Sequence, residues 1–117
     1  MIMDKQLLVA NKIAAAQVMT GNFQTDPIKI TTADNVGLWI DTSGVSANTG
    51  VFTVQVRAYK DANNFSDWAD LATTYTLADA DAVFFRKETS LPTCQLRVSF
   101  VGSGNGTVDI WLSATGS

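Results

Sequence analysis

Apolar and polar residues alternate along four segments of the chain, 36–41, 51–59, 94–101 and 107–113. Successive side chains of a β-strand point to opposite faces of a sheet, so a period of two predicts strands with one buried face. The predicted buried positions are Val36, Leu38, Ile40, Phe52, Val54, Val56, Ala58, Cys94, Leu96, Val98, Phe100, Val108, Ile110 and Leu112.

Turn residues separate these segments. Asp26 and Pro27 predict an extended entry to a strand, and the compositions of 42–50 and 102–106 are typical of loops. Weaker alternation predicts further strands at 17–20, 28–32, 69–73 and 82–87. Short strands without helical periodicity between them favour an all-β fold: an antiparallel β-sandwich, jelly-roll-like, with about eight strands.

A chain of 117 residues fits a single domain. We assign the β-sandwich domain to residues 17–117. Residues 1–16 do not follow the strand rhythm, and the alanines and leucines of this segment tolerate helix. We expect an N-terminal arm or a short helix there, with a strand as the alternative.

The glycine-rich segment 102–106 predicts a hairpin between the last two strands. A two-residue turn at Asn105 and Gly106 would place Ile110 on the wrong face. A three-residue loop, 104–106, sets Phe100 opposite Ile110 and keeps both apolar rows on one face. The same register places Val98 opposite Leu112, so the longer loop is the preferred prediction.

Charge and composition exclude several classes of partner. The formal net charge is −3, and no basic block stands out. A protein needs such a block to bind nucleic acid through its phosphates or to be attracted to an anionic membrane surface. We therefore expect neither nucleic acid nor a membrane as a partner. No stretch approaches the roughly 18 apolar residues of a transmembrane helix. The N-terminus does not resemble an export signal, and we expect a soluble protein.

The chain is poor in catalytic residue types. It contains no histidine, which removes the usual general base and the ordinary zinc ligand. Cys94 is the only cysteine, so no intrachain disulfide can form, and its position in an apolar row predicts a buried thiol. We therefore predict no enzymatic activity, no catalytic residue and no cofactor.

Two acidic loops contain side chains of the kind that bind metal ions. Residues 61–67 offer oxygen ligands at alternate positions, but they lack the central glycine and distal glutamate of an EF-hand loop. Asp79 and Asp81 form a second acidic pair. Solvated turns held by Asx-type hydrogen bonds are the favoured interpretation of both, so no metal site is predicted.

Large side chains occupy the predicted outward positions, where a small monomer usually has Thr, Ser or Lys. They are Trp39, Arg57, Tyr59, Arg97 and Trp111. Aromatic residues and arginine are enriched at protein interfaces, so we predict a protein interface formed by these five residues. In the preferred hairpin register Arg97 would face Ser113 and stack diagonally on Trp111. The alternative is that a loop or the N-terminal segment covers these side chains.

The polar run 60–64 leads to Phe65, Trp68 and Leu71. Their spacing of three predicts a helical turn or an irregular edge that packs back on the core. We interpret Trp68 as a structural residue that plugs one end of the sandwich. A platform on which a sugar ring stacks is the alternative.

Four stretches together resemble the small all-β virion proteins of tailed bacteriophages, a family that includes capsid decoration or cement proteins. They are FTVQVRAY at 52–59, FSDWADL at 65–71, QLRVSF at 95–100 and GTVDIWL at 106–112. The resemblance covers roughly residues 28–113. It rests on strand patterns and not on catalytic motifs.

The resemblance implies a structural, non-enzymatic protein of the virion. Such a protein binds and stabilises the shell of the major capsid protein, forms a homodimer or homotrimer and is located on the capsid surface. Synthesis in the cytoplasm of the host bacterium would agree with the absence of disulfides.

Two other functions fit the same residues. The first is a carbohydrate-binding β-sandwich module with Trp68 or Trp39 as the stacking platform. Asp61, Asn63 and Asn64 would then supply hydrogen bonds to the sugar. The second is a structural subunit of a phage tail or baseplate, which differs from a cement protein only in its partner.

Overall fold

The computed structural model describes residues 6–30, 33–91 and 93–116. The described residues contain nine β-strands. They are β1 (Gln6–Val18), β2 (Phe23–Gln24), β3 (Ile28–Ile30), β4 (Ala33–Ser43), β5 (Val51–Ala58), β6 (Ala69–Thr76), β7 (Val83–Leu91), β8 (Cys94–Val101) and β9 (Thr107–Gly116). No helix lies in these described ranges. The predicted all-β class is therefore confirmed.

The strands form two antiparallel sheets. Sheet I has the order β1-β9-β4-β7, and sheet II has the order β2-β8-β5-β6 with β3 also paired to β8. Four sets of paired strands are nested like the two arms of one long hairpin. They are β1 with β9, β2 and β3 with β8, β4 with β7, and β5 with β6. Rolling that hairpin brings β9 beside β4 and β8 beside β5. This arrangement is a jelly roll, as predicted.

The core lies between the two sheets and is built from their inward rows. Leu38 and Ile110 of sheet I and Phe52 and Leu96 of sheet II are at most 1% exposed. The predicted alternation is confirmed for all four strong segments, although Val56 is only half-buried and Ala58 is exposed at the end of β5. Side chains from both inner faces interdigitate in such a sandwich and supply most of its stability.

Cys94 lies in this core, 3% exposed. Burial raises the pKa of its thiol, because the thiolate would lose its hydration there. A thiol with a raised pKa is a poor nucleophile, in agreement with the predicted structural role.

Residues 6–16 form a strand, the alternative prediction for the N-terminus, and not an arm or a short helix. These residues belong to β1, which pairs with β9 along its length. The register between the two strands shifts three times, between Leu7 and Val9, between Lys12 and Ala14, and between Ala14 and Gln17. Each bulge interrupts the alternation of side chains, which explains why this strand lacks the period of two. The assignment of residues 1–5 to an arm lies outside the described residues.

The predicted hairpin at 102–106 is also wrong. β8 belongs to sheet II and β9 to sheet I, so neither Phe100 and Ile110 nor Val98 and Leu112 are ladder partners. The segment crosses from one sheet to the other. Gly106 has a φ of 96°, and a Cβ there would lie 2.6 Å from Cγ2 of Val45. Only glycine fits this close crossing, so the glycines that predicted a tight turn in fact allow an arch over the core.

Candidate functional site

The outer face of sheet I carries three neighbouring aromatic side chains. Trp39 of β4 lies directly opposite Trp111 of β9 on one side and Phe85 of β7 on the other. Cross-strand partners on one face are close enough for large side chains to touch. Phe85, Trp39 and Trp111 therefore form a continuous line across three strands, which we call the aromatic row.

The aromatic row is open to solvent. Trp39 is 45% exposed, Phe85 60% and Trp111 37%. The rings of Trp39 and Phe85 meet edge to face with centroids 5.9 Å apart. Beside the row, Gly37 and Ser113 are too small to fill the sheet surface, which leaves a hollow of about 350 Å³. The aromatic rings and the hollow together form a concave apolar surface.

Charged residues bound the aromatic row at β1. Lys12 places its Nζ 5.1 Å from the ring centroid of Trp111 and 3.3 Å from Oδ1 of Asp109. The backbone N–H of Ala16 donates to the same carboxylate over 2.7 Å. These contacts, the Ala16 hydrogen bond first, lower the pKa of Asp109. The carboxylate thereby ties the irregular strand β1 to β9.

The outer face of sheet II carries an arginine pair, Arg57 of β5 and Arg97 of β8. Each arginine lies opposite a glutamine of the neighbouring strand. Nε of Arg57 donates to Oε1 of Gln95 over 2.8 Å, and Nε of Arg97 donates to Oε1 of Gln55 over 2.7 Å. Nε2 of Gln55 in turn donates to Oδ1 of Asp70 over 2.7 Å. Both guanidinium groups are therefore held in defined orientations.

The connection between β5 and β6 folds back over this face. The N–H of Ser66 donates to the carbonyl of Ala58, and its hydroxyl accepts from the N–H of Ala58. Oδ1 of Asp61 accepts the backbone N–H groups of Asn63 and Asn64. These hydrogen bonds, that of Asn63 first, lower the pKa of Asp61. The Asx-type hydrogen bonds expected from the sequence are therefore present, and they hold a defined loop that carries Trp68.

Aromatic rings from this loop cover the arginine pair. The guanidinium carbon of Arg97 lies 4.1 Å from the ring centroid of Trp68, and that of Arg57 lies 4.7 Å from Trp68 and 4.0 Å from Phe65. These are cation–π contacts at short range. Burial and the neighbouring positive charge of Arg57 lower the pKa of Arg97. Tyr59 extends the cover, with its ring centroid 4.9 Å from that of Phe65.

The five predicted interface residues occupy outward positions, but they do not form one surface. Trp39 and Trp111 lie on sheet I, whereas Arg57, Tyr59 and Arg97 lie on sheet II. The predicted stacking of Arg97 on Trp111 was wrong, because the two residues are on opposite sides of the sandwich. Arg97 stacks on Trp68 instead. A role of these residues in an interface stays a prediction.

Trp68 is not a plug at the end of the sandwich. It is half-buried, lies outside the buried core cluster and packs on the arginines of the outer face. Neither Phe65 nor Trp68 belongs to a helical turn, and of the predicted trio only Leu71 packs against the core. The spacing of three reflects an irregular loop followed by β6.

Sequence reasoning missed Phe85 and Lys12, which complete the surface of sheet I. A signal for Phe85 was available. Phe84 and Phe85 are adjacent in a predicted strand, so one of the two rings must point outward. Phe84 packs against the core, and Phe85 is the exposed member of the pair. No comparable signal was available for Lys12, because the bulges of β1 break the alternation that would show on which face of the sheet its side chain lies.

Carboxylate and backbone groups of the two acidic loops form hydrogen bonds within the protein. Oδ1 of Asp81 accepts the N–H of Val45 over 2.7 Å, and the backbone N–H of Asp79 donates to the carbonyl of Asn48. Within residues 6–30, 33–91 and 93–116, no group of three His, Cys, Asp or Glu side chains is placed to hold a metal ion. The acidic residues of these loops support the turns.

No family model, curated protein or solved structure matches this chain. Among the described residues, no helix is both long and apolar enough to cross a membrane. We therefore infer function from the geometry of the two outer faces together with the family resemblance of the sequence.

Proposed function

We propose that this chain is a structural virion protein of the capsid decoration or cement type. It binds the shell of the major capsid protein through the outer face of sheet I. The observation that carries the proposal is the aromatic row, in which three neighbouring large rings stay between 37% and 60% exposed.

The aromatic row suits the recognition of another protein. Tryptophan and other aromatic residues supply a disproportionate share of binding energy at interfaces, especially around a concavity that a partner side chain can fill. The hollow beside Gly37 and Ser113 provides such a concavity. Burying the three rings would remove a large apolar area from water, and the edge-to-face contact between Trp39 and Phe85 already restricts these two rings.

The jelly-roll fold and the resemblance to small phage virion proteins support the capsid as the partner. A decoration protein stabilises a shell by binding the assembled form and not the dissociated subunits. We further propose that the chain forms a closed homodimer or homotrimer, because symmetric copies add avidity on a symmetric lattice. In this proposal the protein lies on the capsid surface after synthesis in the cytoplasm of a host bacterium.

The test is co-sedimentation with capsids that lack the protein, taken from the phage whose genome encodes it. We expect wild-type protein to bind and to raise the melting temperature of the shell. Trp111→Ala should weaken binding by about tenfold or more, which is the effect of losing one interface anchor. The matched control is Val101→Ala, since Val101 is another exposed apolar residue, 58% exposed, at the end of β8 in sheet II.

Two outcomes would contradict the proposal. The first is a failure of folded wild-type protein to bind capsids. The second is an equal loss of binding in the Trp111 and Val101 variants, which would remove the aromatic row as the contact. A melting curve of each variant shows that the domain is still folded.

Carbohydrate binding is the second candidate, and the hollow at the aromatic row favours it. Exposed aromatic rings beside a polar side chain such as Asp109 could stack on a sugar ring. Trp68 is the weaker platform, because its ring packs on two guanidinium groups. Glycan binding that is lost in Trp39→Ala, without any capsid binding, would support this function. A tail or baseplate subunit would instead bind tail protein through the same row.

A further inference from the structure

We propose that the arginine pair, Arg57 and Arg97, is a binding site for a carboxylate presented by an acidic side chain of a partner protein. The site lies on the outer face of sheet II, opposite the aromatic row. The proposal does not depend on the capsid function, because it rests on the donors and charges of this face.

The donor geometry leaves one edge of each guanidinium available. A guanidinium has five N–H donors, and in both arginines the Nε–H is already given to a glutamine. Among the residues that the structure describes, no hydrogen bond occupies the terminal Nη groups of Arg57 or Arg97. Two N–H groups on one fork match the two oxygens of a carboxylate.

The charge of the site favours an anion. The guanidinium carbons of Arg57 and Arg97 lie 4.7 Å and 4.1 Å from the ring centroid of Trp68, so the two positive charges are close together. Within 6–30, 33–91 and 93–116 no carboxylate lies within 4 Å of either guanidinium. Asp70 is the nearby negative charge, and it is hydrogen-bonded to Gln55. Lys29 adds a third cation to this face, with its Nζ 5.3 Å from the ring centroid of Tyr59, so positive charge exceeds the charge of Asp70. This excess of positive charge favours an anion, and a carboxylate carries one negative charge, whereas a phosphate dianion would be repelled more strongly by Asp70.

The rings of Trp68 and Phe65, which we call the aromatic cover, help to hold the arginines in a fixed position. Trp68 and Phe65 pack on the guanidinium faces, and the glutamines fix their orientation. A half-buried guanidinium has already lost part of its hydration and rotamer freedom, so a bound carboxylate gains more from each hydrogen bond. The exposed parts of the same rings provide apolar contact around the carboxylate, as at the rim of a protein interface.

The experiment is an NMR titration of the folded full chain with a blocked aspartate, N-acetyl-aspartic acid N-methylamide. We expect saturable shifts of the Nε–H signals of Arg57 and Arg97 and of the indole N–H of Trp68. Sodium chloride and phosphate at the same ionic strength are the comparison titrations. Loss of one charge-assisted hydrogen-bonding fork in Arg97→Gln should weaken binding by about tenfold.

The control variant is Lys87→Gln, which removes one positive charge from an exposed position of β7 on sheet I. It should leave the affinity unchanged. A second variant, Arg57→Lys, keeps the charge but lacks the planar fork, so weaker binding there would show that fork geometry matters. The proposal is overturned if Lys87→Gln weakens binding as much as Arg97→Gln, if no saturable shift occurs, or if phosphate binds more tightly than the carboxylate.

Discussion

The two outer faces of the sandwich use similar residues in opposite ways. On sheet I the aromatic row is bare, with Trp39 45% exposed and the cation Lys12 at one end. On sheet II the cations occupy the strands, and an aromatic ring from a loop lies over them. The difference comes from the chain connections. The loop between β5 and β6 returns across its own sheet, and its hydrogen bonds to Ala58 hold it there.

We expect this difference to affect how much each ring contributes to stability. A ring that packs on two guanidinium groups contributes to the folded state, because its contacts are already made. A ring that stays open contributes little to folding, and in the proposed function its apolar surface is the part that a partner would bury. We therefore expect tryptophan substitutions on the two faces to have different effects, although each is on the surface.

The largest expected effect comes from Trp68→Ala. It removes the ring over Arg97 and one of the two rings over Arg57, and it should lower the free energy of unfolding by about 2 kcal/mol, because two cation–π contacts and their partial burial are lost together. The matched change on sheet I, Trp39→Ala, should cost less than about 1 kcal/mol. Urea denaturation of the three proteins under one buffer condition measures both values. An equal or larger loss for Trp39 would refute the distinction between the faces.

A smaller effect should separate the Trp68 contact from general damage to the loop. In a double-mutant cycle, Trp68→Ala and Arg97→Ala should show a coupling free energy of about 1 kcal/mol, which is typical of a partly buried cation–π pair. Trp68→Ala combined with Lys87→Ala should be additive, since Lys87 lies on the opposite sheet. Additivity in both cycles would mean that Trp68 stabilises the loop without depending on Arg97.

The strand pattern predicted which side of a strand each residue occupies, but it could not predict which strands are neighbours. Residues Trp39, Arg97 and Trp111 were placed correctly on outward positions, because alternation within one strand depends only on local geometry. The partnership of Arg97 with Trp111 needed the assumption that consecutive strands pair. The jelly roll breaks that assumption, because its chain crosses between sheets at 102–106.

Two further features were hidden for physical reasons. β1 contains three register shifts, and a bulge moves the following side chains to the other face, so its sequence shows no regular period. The place of Trp68 depends on a loop whose path is set by hydrogen bonds between Asp61 and its neighbours and between Ser66 and Ala58. Residue types predicted a turn there, but not the sheet surface on which the turn would lie.

The smallest expected effect is a pH dependence that appears on both faces. The pKa of Asp109 is lowered by the N–H of Ala16 and by Lys12, and the pKa of Asp61 is lowered by the N–H of Asn63 and by Asn64. A folded-state pKa below the unfolded-state value means that each carboxylate stabilises the fold above its unfolded-state pKa. This contribution is lost as the pH falls through the folded-state pKa.

The location of the acid effect should differ between the faces. As the pH falls from about 6 to about 2, protonation of Asp109 should release the N–H of Ala16 and increase hydrogen exchange in the C-terminal half of β1. Protonation of Asp61 should instead affect the N–H groups of Asn63 and Asn64, and with them the aromatic cover of the arginine pair. Asp109→Asn should remove the pH dependence at β1 and leave that of the loop unchanged, because Asp109 lies on β9 of sheet I and Asp61 lies in the loop between β5 and β6 of sheet II. An Asp109 carboxyl that titrates at or above its ordinary pKa in an NMR experiment would show that its contacts with Ala16 and Lys12 do not favour the charged form, and the coupling of β1 to this carboxylate would then be wrong.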